Sequence, residues 1–72
     1  MVSSHRRIVG QRIREYRKQA RLSQEKLAEK ASLSYKFLGE VERGTENVSL
    51  DSLVRIAKAL KVDLGQLVSG VK

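Results

Sequence analysis

The sequence predicts an all-α domain of five helices. Three observations carry this: proline is absent from all 72 residues, apolar positions recur at helical spacing, and one helix-start pattern occurs four times. Strand-type alternation never persists for more than a few residues, so a period of 3.6 rather than 2 organises the chain.

A first helix is expected near residues 5–20, where Val9, Ile13, Tyr16 and Ala20 recur at spacings of 4, 3 and 4 and draw one apolar stripe. Leu27, Ala28 and Ala31 mark a second over 24–31, and Leu38 with Val41 a third over 35–43. Leu50, Leu53, Ala57, Leu60 and Leu64, widened by Ile56, give a fourth over 50–60. Leu64, Leu67, Val68 and Val71 end the chain with a fifth over 64–69. The boundaries come from four quartets: Leu22-Ser23…Leu27, Leu33-Ser34…Leu38, Val48-Ser49…Leu53 and Val62-Asp63…Leu67. In each, the Ser or Asp side chain accepts an orphan amide hydrogen, and the flanking apolar pair clamps the turn as a hydrophobic staple. Gln66 completes a capping box with Asp63. Losing such a cap costs about 1 kcal/mol. Gly44 supplies a left-handed stop after the third helix.

A chain of this length is one domain, burying only about 60% of the surface its unfolded form exposes. It has no cysteine, and His5 is its one histidine, so neither a disulfide nor a metal site is expected. No apolar run approaches the ~18 residues that cross a bilayer, and no signal-peptide core is present. A soluble, cytoplasmic domain is expected, without a cofactor, a membrane association or an evident small-molecule ligand.

Fifteen Lys and Arg against eight Asp and Glu give a net charge of +7. The excess is local, with +6 in residues 1–21 and +1 in residues 22–72. Such a concentration suits a polyanion, either nucleic acid or an anionic membrane surface; a solvated face that aids solubility is the plainer alternative. A membrane role for the first helix conflicts with its apolar stripe, which the core needs. An enzyme is not expected. Glu25, Glu29, Glu40, Glu46 and Asp51 are scattered over exposed faces, no Ser/His/Asp set occurs at workable spacing, and no Gly-rich phosphate loop is present.

Only Ser32, Leu33 and Ser34 separate the second and third helices. So tight a turn forces a steep crossing, the helix-turn-helix arrangement, which lays one helix over the DNA backbone while the next enters the major groove. A steep corner alone also occurs in any compact helical domain. The residues go further. Leu22-Ser23-Gln24 followed by Leu27-Ala28, the Ser34-led helix and the Glu42-Arg43-Gly44 close resemble the XRE family, the helix-turn-helix domains of phage Cro and repressor proteins. Asn47, Ser49-Leu50, Leu53, Ile56-Ala57 and Ala59-Leu60 fit that family's fourth helix, and Val9-Gly10 and Ile13-Arg14 its first, so the likeness covers roughly residues 8–68. It implies a lambda-repressor-like bundle in a single domain over 1–72, with residues 1–7 as an N-terminal arm and 69–72 as a tail.

The resemblance implies roles residue by residue. Arg17 pairs with Glu42 as a structural tie from the first helix to the end of the third. Gln24 contacts phosphate and braces the recognition helix, at a helix N-terminus that favours phosphate in any case. Ser23 and Ser34 are caps first and phosphate donors second, and Arg43, Thr45 and Asn47 touch the backbone after the third helix. Arg6 and Arg7 would form a short arm onto phosphates. With Leu38 and Val41 facing the core, Tyr35, Lys36, Gly39 and Glu40 occupy the base-reading side of the third helix. Lys36 can donate to guanine O6 or N7 or to a phosphate, and Glu40 can accept from cytosine N4. Tyr35 offers a hydroxyl and a ring to a thymine methyl, Gly39 allows close approach, and Phe37 packs against the first helix.

Three residues depart from the family pattern. Ser32 replaces the usual Gly, so the turn holds either a strained residue or a different backbone. Val48 replaces a frequent proline. Glu40 puts a negative charge on the face turned to DNA, where it either specifies a base or marks a module that does not bind DNA tightly. The expected function is a sequence-specific, double-stranded-DNA-binding transcriptional regulator of repressor or controller type, bacterial or phage in origin and nucleoid-associated. It would act as a homodimer, with two recognition helices ~34 Å apart on a palindrome. Leu64, Leu67, Val68 and Val71 are the expected dimer surface, although some of them must also cover the core. The alternative is a protein-interaction module of antitoxin or adaptor type with weak or partner-dependent DNA binding.

Overall fold

A computed structural model of the chain describes residues 4–71. Five helices follow one another: α1 (Ser4–Gln19), α2 (Gln24–Lys30), α3 (Tyr35–Arg43), α4 (Leu50–Leu60) and α5 (Leu64–Leu67). The caps lie where the quartets put them. Ser23 Oγ accepts from the Lys26 amide at 3.0 Å, Ser34 Oγ from the Phe37 amide at 3.0 Å and Ser49 Oγ from the Ser52 amide at 3.1 Å. At α5 the Gln66 side chain reaches back to accept from the Asp63 amide at 2.8 Å.

The helix ends share a second device. Arg21, Ser32, Gly44 and Lys61 all take the left-handed conformation, with φ of 59°, 57°, 76° and 60°. In each case the next amide donates back five residues: Leu22 to Arg17 O, Leu33 to Ala28 O, Thr45 to Glu40 O and Val62 to Ala57 O, at 2.8–3.1 Å. This is the bond that closes a Schellman motif. Leu22, Leu33 and Val62 therefore finish one helix and staple the start of the next. Ser32 resolves its alternative by accepting the left-handed backbone.

Helix α3 packs on α1 and α2, α4 on α2, and α5 on both α4 and α1. Ile13, Leu27, Leu38, Ile56 and Leu67, one from each helix, are fully buried at the centre. Phe37 is partly buried against this cluster. Among the described residues no helix is long and apolar enough to cross a membrane.

Several expectations need correction. Ala20 is exposed beyond the end of α1, and Leu50, the first residue of α4, is 64% exposed. Both sit at helix termini, where the stripe overruns the core. Arg6 and Arg7 lie in the first turns of α1 rather than in an arm, and residues 1–3 and 72, the rest of the expected arm and tail, fall outside the described residues. Helix α5 ends at Leu67, not 69. Leu67 is fully buried and cannot meet a second copy, while Leu64 and Val68 are partly buried against the core. So short a helix must spend its apolar side on its own domain. Polar groups in and just beyond it turn toward α1, since Gln66 Nε2 donates to Tyr16 Oη at 3.3 Å and Arg12 Nε to Ser69 O at 3.4 Å.

Candidate nucleic-acid interface

One carboxylate organises the front of the molecule. Glu42 Oε2 accepts from Arg17 Nε at 2.8 Å, and Oε1 accepts from Arg17 Nη2 at 3.1 Å and Gln24 Nε2 at 3.0 Å. A third Arg17 donor, Nη1, reaches Leu22 O at 2.9 Å. A bidentate guanidinium fixes direction as well as distance. The clamp therefore ties the last turn of α1, the first turn of α2 and the last turn of α3 into one frame. The Glu42 side chain is only 2% exposed, so this pair sets the pose of α3 and is not available to a ligand.

The frame leaves the outer side of α3 open. Tyr35 is 60% exposed, Lys36 is exposed and Glu40 is half-buried. Gly39 is not open as expected: it is buried, because a Cβ built there would lie 3.3 Å from Arg43 Nη1 and 3.8 Å from Gln24 Oε1. Arg43 lies in the last turn of α3, within the expected 35–43, and its guanidinium lies back along the helix over Gly39. Gln24, Tyr35, Lys36, Gly39 and Arg43 thus line one shallow groove.

The remaining sequence-predicted residues are divided. Ser23 joins Gln24, Tyr35 and Arg43 along an adjoining groove, while the Ser23 and Ser34 hydroxyls are engaged as caps. Thr45 is exposed, and its hydroxyl donates to Glu40 O at 3.2 Å. Asn47 lies apart from these grooves, beside an apolar cavity lined by Val9, Val41, Leu53 and Val68. Arg14, which the sequence reading gave no role, lines the groove with Ser23 and Tyr35. Among the described residues there is no group of three His, Cys, Asp or Glu side chains that could hold a metal ion.

The geometry defines a helix-turn-helix module with a braced third helix and a cationic front. Its family follows from comparison with known proteins. The helix-turn-helix family model matches residues 13–67, and the chain belongs to that family, of the XRE type. It is 43% identical over 63 residues to the control protein C.BamHI of Bacillus amyloliquefaciens, covering 86% of this chain and 78% of that one. Among solved structures it is similar to the restriction-modification controller protein C.AhdI from Aeromonas hydrophila, with a TM-score of 0.88 and 40% identity over 90% of this chain and 98% of that one. The structure of SinR, a master regulator for biofilm formation, in complex with DNA gives a TM-score of 0.79 and 37% identity, covering 82% of this chain and 95% of that one.

Proposed function

We propose that the chain is a sequence-specific DNA-binding transcriptional regulator of repressor or controller type, working in the cytoplasm at the nucleoid. The observation that carries this reading is the Arg17–Glu42–Gln24 clamp, which orients α3 rigidly with Tyr35, Lys36 and Arg43 outward. Lys36 and Tyr35 meet base edges in the major groove, and Glu40 accepts from a cytosine amine at the margin of the contact. The α2 N-terminus, with Ser23 and Gln24, faces a phosphate, as do Arg43 and Thr45. Asn47 takes the most peripheral backbone contact.

The functional unit is a homodimer. The domain is 27 Å along its longest axis, whereas two recognition helices on one palindrome stand ~34 Å apart. A second half-site therefore needs a second copy. With Leu67 committed to the core, Val71 and Leu50 are, among the described residues, the exposed large apolar side chains outside α3 that remain for the contact. The printed names of the relatives, a control protein, a controller protein and a regulator seen with DNA, support the same class.

The test is enrichment of bound sequences from a random duplex pool at near-physiological salt, with the protomer count on the enriched duplex measured by sedimentation. A two-fold symmetric consensus carrying two protomers is expected. Weak, salt-sensitive binding without enrichment would overturn the reading and turn attention to a protein partner.

A further inference from the structure

We propose that Glu40 makes DNA binding conditional on a cytosine whose exocyclic amine is unmethylated, so that methylation at cytosine N4 within the operator releases the protein. This rests on the DNA-binding reading above and adds a regulation of the same site.

Around α3, at ~100° per residue, Glu40 lies about 40° from Lys36 and about 60° from Arg43. It is therefore on the side away from Leu38 and Val41, which are buried. It brings a negative charge to a face whose other charges are positive. The second carboxylate of α3, Glu42, is held by Arg17 and Gln24. Glu40 is not neutralised in this way. Lys36 stands four residues before it and Arg43 three after, spacings at which ion pairs form on a helix. Neither pairs with it.

The helix cannot turn this residue aside. Its backbone carbonyl accepts from Thr45 N at 3.0 Å and from Thr45 Oγ1 at 3.2 Å, and the Glu42 clamp fixes the same turn. Glu40 is also half-buried. A recognition helix held in this pose carries the carboxylate into the groove along with Lys36, where it must meet either a donor or a repelling acceptor.

The major groove offers few donors. An ionised carboxylate only accepts hydrogen bonds. Guanine presents O6 and N7, and thymine presents O4, all acceptors; cytosine N4 and adenine N6 are the donors. Adenine sets its N7 acceptor beside N6, against the second carboxylate oxygen, whereas cytosine sets a C5–H there. Cytosine is thus the base this side chain selects. Its amine has two hydrogens, and pairing with guanine uses one. The other is the single donor left for Glu40. A methyl group on N4 must take that place if the base pair is kept, so it removes the donor and leaves the carboxylate unmet. A methyl group on C5 leaves the hydrogen where it was.

The test starts from duplexes selected by the wild type and by Glu40→Ala from one random pool, with folding checked by circular dichroism. The base pair that loses preference in Glu40→Ala is the one Glu40 reads, and a cytosine is expected there in both half-sites. That cytosine is then replaced by N4-methylcytosine or by 5-methylcytosine, and affinities are measured by anisotropy. Wild-type affinity should fall about ten-fold or more with N4-methylcytosine and far less with 5-methylcytosine. Glu40→Ala should bind all three duplexes alike. Glu40→Gln, which can also donate, should shift the preference toward adenine. Wild-type indifference to N4-methylation, or an equal loss from the two methylated bases, would overturn the proposal and leave the regulator standing. An identical consensus from Glu40→Ala, with tighter binding to every sequence, would do the same by reducing Glu40 to a source of repulsion. Absence of any wild-type consensus would overturn the regulator, and this proposal with it.

Discussion

Replacing Arg17 by Met tests whether one ion pair sets the pose of the recognition helix. The methionine keeps an apolar stem but removes both donors to Glu42 and the donor to Leu22 O. What remains is a carboxylate with a 2%-exposed side chain and one neutral donor, Gln24 Nε2. Breaking a buried pair from one side costs about 3–5 kcal/mol. A domain of this length has about 4–11 kcal/mol of stability in all, at ~0.05–0.15 kcal/mol per residue. The substitution should therefore remove about a third of it or more, lowering Tm by about 12 °C at least, given ~4–8 °C per kcal/mol. Urea unfolding followed by circular dichroism measures this, with an unchanged m-value confirming that the same transition is compared. Glu42→Gln, which retains an acceptor for Arg17 and Gln24, should cost less. The double change Arg17→Met/Glu42→Leu should recover much of the loss, because no buried charge is left unpaired. A loss below about 1 kcal/mol for Arg17→Met, or strictly additive single effects, would refute the clamp as a coupled unit.

Three further substitutions probe the backbone around the interface. Gly10→Ala should destabilise by about 3 kcal/mol despite alanine's higher helix propensity, since its Cβ meets two α3 carbonyls; any gain in Tm would contradict the close approach. Ser32→Gly should stabilise by about 0.5–1 kcal/mol, because it relieves a left-handed serine (φ 57°), and a net loss in urea unfolding would count against strain there. Gly39→Ala should raise stability by about 0.5–1 kcal/mol, since only the flexible end of Arg43 must move, yet it should weaken DNA binding in an anisotropy titration by displacing that guanidinium.

The helices were legible because their starts are written twice, as a cap and as a staple. Ser23, Ser34 and Ser49 each accept the amide hydrogen that their quartets require. The ends were less legible. Gly44 announces itself, but Arg21 and Lys61 take the same left-handed conformation with side chains that carry no such signal. The information lay in the following residue, since Leu22 and Val62 close the Schellman bond and also staple the next helix. Periodicity gave the core but not its limits, which is why Ala20 and Leu50 continue a stripe that the fold has already left. It also could not apportion α5, where a four-residue helix uses Leu67 to close its own domain.

At the interface, helical spacing placed Tyr35 and Lys36 outward. It did not show Arg43 lying over Gly39, because that depends on a side-chain path enabled by a missing Cβ.

The most direct measurement is a parallel enrichment from one random duplex pool with the wild type and with Lys36→Ala. If the outer face of α3 reads bases, the wild type yields a palindrome, and Lys36→Ala loses preference at the same position of both half-sites while the half-site spacing is kept. An identical consensus from the two proteins would contradict a base-reading role for this face of α3.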